Sequence, residues 1–154
     1  MLKQPIYIDL EGADLTGKST LLKTTFKVSD YSKILCFHDR GILTHYLYNR
    51  VFDRFPENRK LWNQELYDFV QDNGIIILAA NKETLINRYQ TRSDDLFKLD
   101  NIMKMNEAYV DIYTAWLHSF DTVKLINVDN KNPMQIYKEA EELYEQMYTR
   151  GMIW

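Results

Sequence analysis

Residues 12–19 read Gly-Ala-Asp-Leu-Thr-Gly-Lys-Ser, with four residues between two glycines and a Lys-Ser pair directly after them. An apolar run, Pro5-Ile6-Tyr7-Ile8-Asp9-Leu10, leads into this stretch, and a helix-forming segment over 18–28 leads out of it. No other feature constrains the fold as much. A strand and a helix joined by so short a turn bring successive backbone N–H groups and the positive helix end together around one point. That arrangement suits a phosphate chain. Gly12 and Gly17 permit the turn, Lys18 can reach the β- and γ-phosphates, and the Ser19 hydroxyl is the expected protein ligand of Mg²⁺, with Thr20 beside it as a phosphate contact. The whole loop, Gly12, Ala13, Asp14, Leu15, Thr16, Gly17, Lys18, Ser19 and Thr20, is therefore the expected ATP site.

Downstream, strand-like and helix-like patterns alternate. Lys33 to His38 is a second apolar run, Gly74-Ile75-Ile76-Ile77-Leu78-Ala79 a third, and Thr122 to Val128 a fourth. The third is continuously apolar, which suits a parallel strand covered on both faces. Helical spacing is read over 44–53, 57–72, 82–93 and 99–118. Trp62, Leu66, Phe69 and Val70 share a face, and Asn73-Gly74 is a stop. Ile102, Met105, Tyr109, Ile112 and Trp116 form a stripe read as core packing. Asn132-Pro133 supplies a cap and a first-turn proline for a last helix through Met147. The expected fold is α/β, a three-layer sandwich of about four parallel strands between helices, in a single domain over 1–154.

Glu11-Gly12-Ala13-Asp14-Leu15-Thr16-Gly17-Lys18-Ser19-Thr20 resembles the E-G-x-D-x-x-G-K-S-T loop of thymidylate kinases and their relatives among the P-loop nucleotide kinases. Asp39-Arg40-Gly41-Ile42-Leu43-Thr44 is similar to the D-R-x-x-x-S pattern of the same family. The resemblance implies that Asp14 touches the acceptor sugar, and it places Glu11, Arg40 and Thr44 on the acceptor side. For Glu11, capping the loop is an equal alternative. A carboxylate at a strand end beside the loop, Asp39, can hold Mg²⁺ or its waters or orient an attacking hydroxyl. Arg40 can bridge donor and acceptor phosphates through its planar fork. His38 is read as a sheet-edge residue.

Asn81 to Asp95 resembles the lid entry of nucleotide kinases, with Lys82 where a proline is usual. Arg88 and Arg92, four apart on a helix, can close over a triphosphate and neutralise charge as it moves. Leu15 stands where some relatives carry a catalytic arginine, which shifts that role to this lid-like segment around 88–100. Asn127-Val128-Asp129-Asn130 falls where nucleotide kinases bracket the adenine, so Asp129 is a candidate on the nucleotide side; a plain strand-end turn reads equally well.

The resemblance breaks between Thr20 and Asp39. Full-length thymidylate kinases carry there an extra strand with an R-E-P segment and an arginine-bearing helix, whereas here the gap holds one helix and one strand. The expected substitute is the segment from Thr44 to Asp72, with Tyr46, Tyr48, Phe52, Phe55, Trp62 and Tyr67 and with Arg50, Arg54 and Arg59. Aromatic faces stack bases, and arginines hold phosphates.

Composition removes several classes of function. A net charge of −3 gives no strong basic field, one cysteine permits no internal disulfide or Cys-based zinc site, and no apolar run is long enough to span a membrane. The start, Met1-Leu2-Lys3-Gln4-Pro5, lacks a signal-peptide layout, so a cytoplasmic protein is expected. The leading expectation is an ATP- and Mg²⁺-dependent phosphotransferase acting on a nucleotide or nucleoside, a deoxynucleoside monophosphate above all, with a homodimer allowed. One alternative is a kinase acting on a modified base or end in DNA, for which Arg50, Arg54, Arg59 and Lys60 would form a basic stripe. Another is an ATP-binding switch without turnover.

Overall fold

The computed structural model describes residues 4–28, 30–52, 59–91 and 99–153. Four strands form one sheet: β1 (Ile6–Glu11), β2 (Leu35–Asp39), β3 (Gly74–Ala79) and β4 (Val123–Asn127). All neighbours run parallel in the order β2-β1-β3-β4. Among the described residues six α-helices connect and flank them: α1 (Lys18–Val28), α2 (Ile42–Val51), α3 (Arg59–Asp72), α4 (Lys82–Gln90), α5 (Leu99–Ala115) and α6 (Pro133–Ile153). The strands lie within two residues of their expected positions. All six residues of β3 are buried, as its unbroken apolar run requires.

Alternation along β1 sends its side chains to different helical layers. Ile8 belongs to the side where Leu143 of α6 packs, since a Cβ at Gly74 would touch both. Asp9 and Glu11 belong to the other side, where they meet the start of α2 and Tyr109 of α5. The architecture is thus α/β, an all-parallel four-stranded sheet with helices against both faces. Burying branched residues such as Ile75, Ile76 and Ile77 contributes about 1.5–3 kcal/mol each.

Several helix ends differ from the sequence reading. The helix expected from Thr44 begins at Ile42, and the one expected to stop at Met147 continues to Ile153. The helix read over 99–118 ends at Ala115 and gives way to a 3-10 turn over Leu117–Ser119. The cap at Asn132 is present: its Oδ1 accepts from the Gln135 backbone at 2.9 Å while its own N–H donates to Gln135 Oε1 at 2.8 Å.

The connection after β1 leads to β2 on one side, and the connection after β2 passes to β3 on the other. The carboxyl ends of β1 and β3 therefore flank a change in winding direction, where open parallel sheets form a crevice. The 12–17 loop stands at that point. No helix among the described residues is long and apolar enough to cross a membrane.

Candidate functional site at the carboxyl end of the sheet

The loop after β1 turns on three residues of positive φ, Gly12 with φ +138°, Leu15 with φ 71° and Gly17 with φ 95°. A Cβ at Gly12 would lie 2.5 Å from the Leu78 carbonyl oxygen, so only glycine lets the loop leave β1 alongside β3. Leucine pays a steric cost of about 1–2 kcal/mol for its conformation, and such strain persists where surrounding contacts fix it. Those contacts are present. Thr16 Oγ1 donates to the Ala13 carbonyl at 2.7 Å, and Arg88 Nη1 donates to the Leu15 carbonyl at 2.6 Å.

Lys18, only 7% exposed, folds back over the loop and donates to the carbonyls of Gly12 at 2.7 Å and Ala13 at 3.0 Å. Burial and the nearby Arg40 charge lower its pKa to about 8, against the pull of Asp14, Asp39 and Glu11. Arg40 comes from the turn after β2 and is ion-paired with Asp14 of the loop. Its backbone is also left-handed, with φ 71°, and its N–H donates to the Leu10 carbonyl at 3.0 Å. Ser19, Thr20 and Asp39 are exposed at the same end of the sheet.

Beneath this surface lie two carboxylates of β1. Glu11, 0% exposed, accepts from the N–H groups of Gly41 at 2.8 Å and Thr44 at 3.3 Å, from the Thr44 hydroxyl, and from the Tyr109 hydroxyl at 3.2 Å. Burial pushes it up to about 7, and the neighbouring Asp9 adds to the shift while the hydrogen bonds from Thr44 and Gly41 oppose it. Asp9 accepts from the Ile42 N–H at 3.1 Å and lies 2.9 Å from His38 Nδ1; burial raises its pKa too. A Cβ at Gly41 would fall 1.9 Å from Asp9 Oδ2, so the turn after Arg40 admits no side chain there.

The far wall is held by α5 and β4. Asn106 makes two hydrogen bonds to the backbone of Ala80, 3.1 Å from its N–H and 2.8 Å to its carbonyl. Asp129 accepts from the Asn81 N–H at 3.0 and 3.1 Å, joining the ends of β3 and β4. Burial raises Asp129, but hydrogen bonds from Thr84 and Asn81 outweigh it and leave the pKa lowered. Asn81 in turn caps α4 by accepting from the Thr84 N–H at 2.8 Å.

Of the expected site residues, Asp14, Lys18, Arg40 and Arg88 converge on the loop. Glu11 and Thr44 meet each other below it, and Asp129 engages the end of β3. Arg92 and most of the lid-like segment, 92–98, lie outside the described residues, as do Arg54 and Phe55; of Arg59 and Lys60 only the backbone is described. His38 lies on the edge strand β2, in line with its reading. Sequence reasoning passed over Asp9, although a carboxylate inside an apolar strand run is itself a signal. It also missed the hydroxyl of Tyr109, because the helical stripe reads the same whether or not its one polar tip has a partner.

The donor set suits the groups that the motif implies. A Cβ at Gly17 would meet nothing nearer than Arg88 Nη1 at 4.0 Å, so the space beside Gly17 is open and bordered by a cation. Ser19 and Asp39 are exposed oxygen donors, the kind magnesium takes when phosphates and water complete its shell. Among the described residues no cluster of three or more His, Cys, Asp or Glu could hold a metal ion on its own. No family model, curated protein or solved structure matches this chain.

Proposed function

We propose that this chain is a P-loop phosphotransferase that uses ATP and Mg²⁺ to phosphorylate a nucleotide or nucleoside, with a deoxynucleoside monophosphate as the first acceptor to test. One observation carries the reading. Lys18 from α1, Arg40 from the turn after β2 and Arg88 from α4 all engage the same loop, residues 12–15. Three basic side chains from three separate segments, gathered on a strained turn at a helix N-terminus, suit the charge of a phosphoryl group in transfer.

In this reading Lys18 leaves the carbonyls of Gly12 and Ala13 for the phosphate chain, and the N–H groups of the loop complete the cradle. Arg88 holds the donor from the α4 side, joined by Arg92, while Arg40, oriented by Asp14, faces the acceptor. Ser19 and Asp39 would hold Mg²⁺, which supplies charge neutralisation between donor phosphates when bound. Asp129 would shape the nucleotide side through Asn81. A cytoplasmic setting supplies ATP and keeps the exposed Cys36 reduced.

Lys18→Ala should lower phosphoryl transfer by about 100- to 1000-fold, the range for removing one group that stabilises developing charge, with an unchanged circular-dichroism spectrum. Undiminished transfer would sink the assignment. Saturable ATP binding with no product across a panel of nucleosides, monophosphates and DNA ends would instead make the chain a binding switch.

A DNA acceptor is the second reading, and the edge of the sheet favours it. Among the described residues strand β2 has no neighbour on its outer side, and Cys36, His38 and Asp39 of this strand are exposed, which suits a bulky acceptor. Absence of a gel shift with DNA at low salt would remove it.

A further inference from the structure

The N-terminus of α2 is capped from another strand. Its N-cap residue, Gly41, has no side chain to offer, and no side-chain cap is made within the helix. The orphan N–H groups of its first turn go instead to β1: Gly41 and Thr44 to Glu11 Oε1, and Ile42 to Asp9 Oδ2. Arg40 immediately precedes this turn. On its N-terminal side the backbone is held by the Leu10 carbonyl, so the peptides bracketing the arginine are anchored to the end of β1 on both sides.

We propose that Glu11 is a positioning residue for Arg40: by holding the Gly41–Thr44 turn against the end of β1, its carboxylate fixes the guanidinium at Asp14 over the loop without itself touching a bound phosphate. The inference rests on the phosphotransferase reading and deepens it, assigning to Glu11 a place behind the acceptor side.

The network tolerates either protonation state of Glu11. Thr44 Oγ1 and Tyr109 OH lie 2.9 Å apart, and both are within hydrogen-bond distance of Glu11 Oε2, so the three oxygens close a ring. A carboxylate accepts both hydroxyls; a neutral carboxyl donates into the ring while its other oxygen keeps the backbone N–H groups. Asp9 on its own strand, Lys18 at the start of α1 and Tyr109 of α5 are the charged and titratable groups that act on Glu11, while α2 contributes the uncharged Thr44. His38 faces Asp9, and Arg40, Asp14 and Asp39 act on Lys18. Burial, with Asp9 next to it, brings the titration of Glu11 to about 7.

The test uses the full chain and reads the Arg40 side-chain Nε–H resonance by NMR, assigned by its loss in Arg40→Lys, alongside transfer kinetics and binding of a non-hydrolysable ATP analogue. In Glu11→Ala the Arg40 resonance should move to that of a free guanidinium. Acceptor kcat/KM should fall about 100-fold, the scale for a displaced catalytic group, while analogue affinity changes by less than about 3-fold. Glu11→Gln, which can accept both backbone N–H groups and donate into the ring, should restore transfer to within about 3-fold of the original chain. Its Arg40 resonance should stay at the position found in the original chain.

An unmoved Arg40 resonance in Glu11→Ala overturns the proposal, as does an equal loss of analogue binding. If Glu11→Ala does not fold, Glu11→Asp, one methylene shorter and drawn back from the Gly41 and Thr44 N–H groups, decides: the Arg40 resonance should move toward that of a free guanidinium, and an unmoved resonance overturns the proposal. A chain that phosphorylates no acceptor ends the functional reading, yet the Arg40 resonance still decides whether Glu11 positions it.

Discussion

Arg88 Nη1 donates to the Leu15 carbonyl oxygen at 2.6 Å, joining α4 to the loop after β1 across 73 residues of sequence. The contact fastens a backbone that is itself strained, since Leu15 sits at φ 71°. A charged donor to a carbonyl contributes about 1.5–3 kcal/mol, enough to offset that strain. Arg88→Ala is therefore expected to loosen the loop before any ligand arrives. Hydrogen exchange at the Ala13–Gly17 amides should rise in the variant, and phosphoryl transfer should fall by about 100-fold or more. Unchanged exchange would mean that the loop holds its shape alone.

Gly12→Ala should be severe. The new methyl would press on the Leu78 carbonyl at 2.5 Å and on Thr16 Oγ1 at 2.9 Å, in a backbone conformation that alanine resists. A loss of about 2–4 kcal/mol is expected from strain and overpacking together, read as a lower midpoint in urea. Gly41→Ala, whose methyl would fall 1.9 Å from Asp9 Oδ2, should cost about as much by displacing a buried carboxylate.

Stability should fall as pH rises through the acid-to-neutral range, and Glu11 is one source. In the folded chain it titrates at about 7 rather than at 4.5, so between these values the native state binds more protons than the unfolded one. Its contribution is fully present below about pH 4.5 and is lost by about pH 7, on the order of 1–3 kcal/mol in all. Asp9, raised in the same direction, adds to the slope. Urea melts across this range should show a shallower decline in Glu11→Gln; an identical slope would refute the assignment to Glu11.

Thr44→Val removes a hydroxyl that both Glu11 and Tyr109 use, leaving Glu11 Oε2 with Tyr109 alone. An expected loss of about 1–3 kcal/mol follows from a buried acceptor left short of a donor. Tyr109→Phe leaves the Thr44–Glu11 contact in place, so a loss nearer 1 kcal/mol is expected. Equal melting points for the two variants would contradict the ring as described.

The sheet and its helices were legible because their signals are local. Unbroken apolar runs and three-and-four spacing survive in the sequence wherever they occur, as in Gly74–Ala79. The Asn132–Pro133 start was equally clear, since its cap lies three residues from its partner. The start of α2 was not: reading from Thr44 missed Gly41 because the groups that cap it lie about 30 residues upstream. Tyr109 stayed hidden for a related reason. Its ring belongs to the core stripe of α5, and only the fold brings its hydroxyl to Glu11 across 98 residues. The loop motif named the residues at the site; that Lys18 lies over its own carbonyls and that Arg88 reaches Leu15 are matters of tertiary packing.

Capping from a distant strand also bears on the order of assembly. An N-cap within a helix helps that helix nucleate while the rest of the chain is still unfolded, but α2 must wait for β1 to supply its acceptors. A free peptide spanning 41–52 should thus be nearly structureless in water, whereas one spanning 131–153, with its own start signal at Asn132–Pro133, should retain measurable helicity. The Arg40 side of the crevice is in this sense a late acquisition of folding, completed only once strand and turn have met.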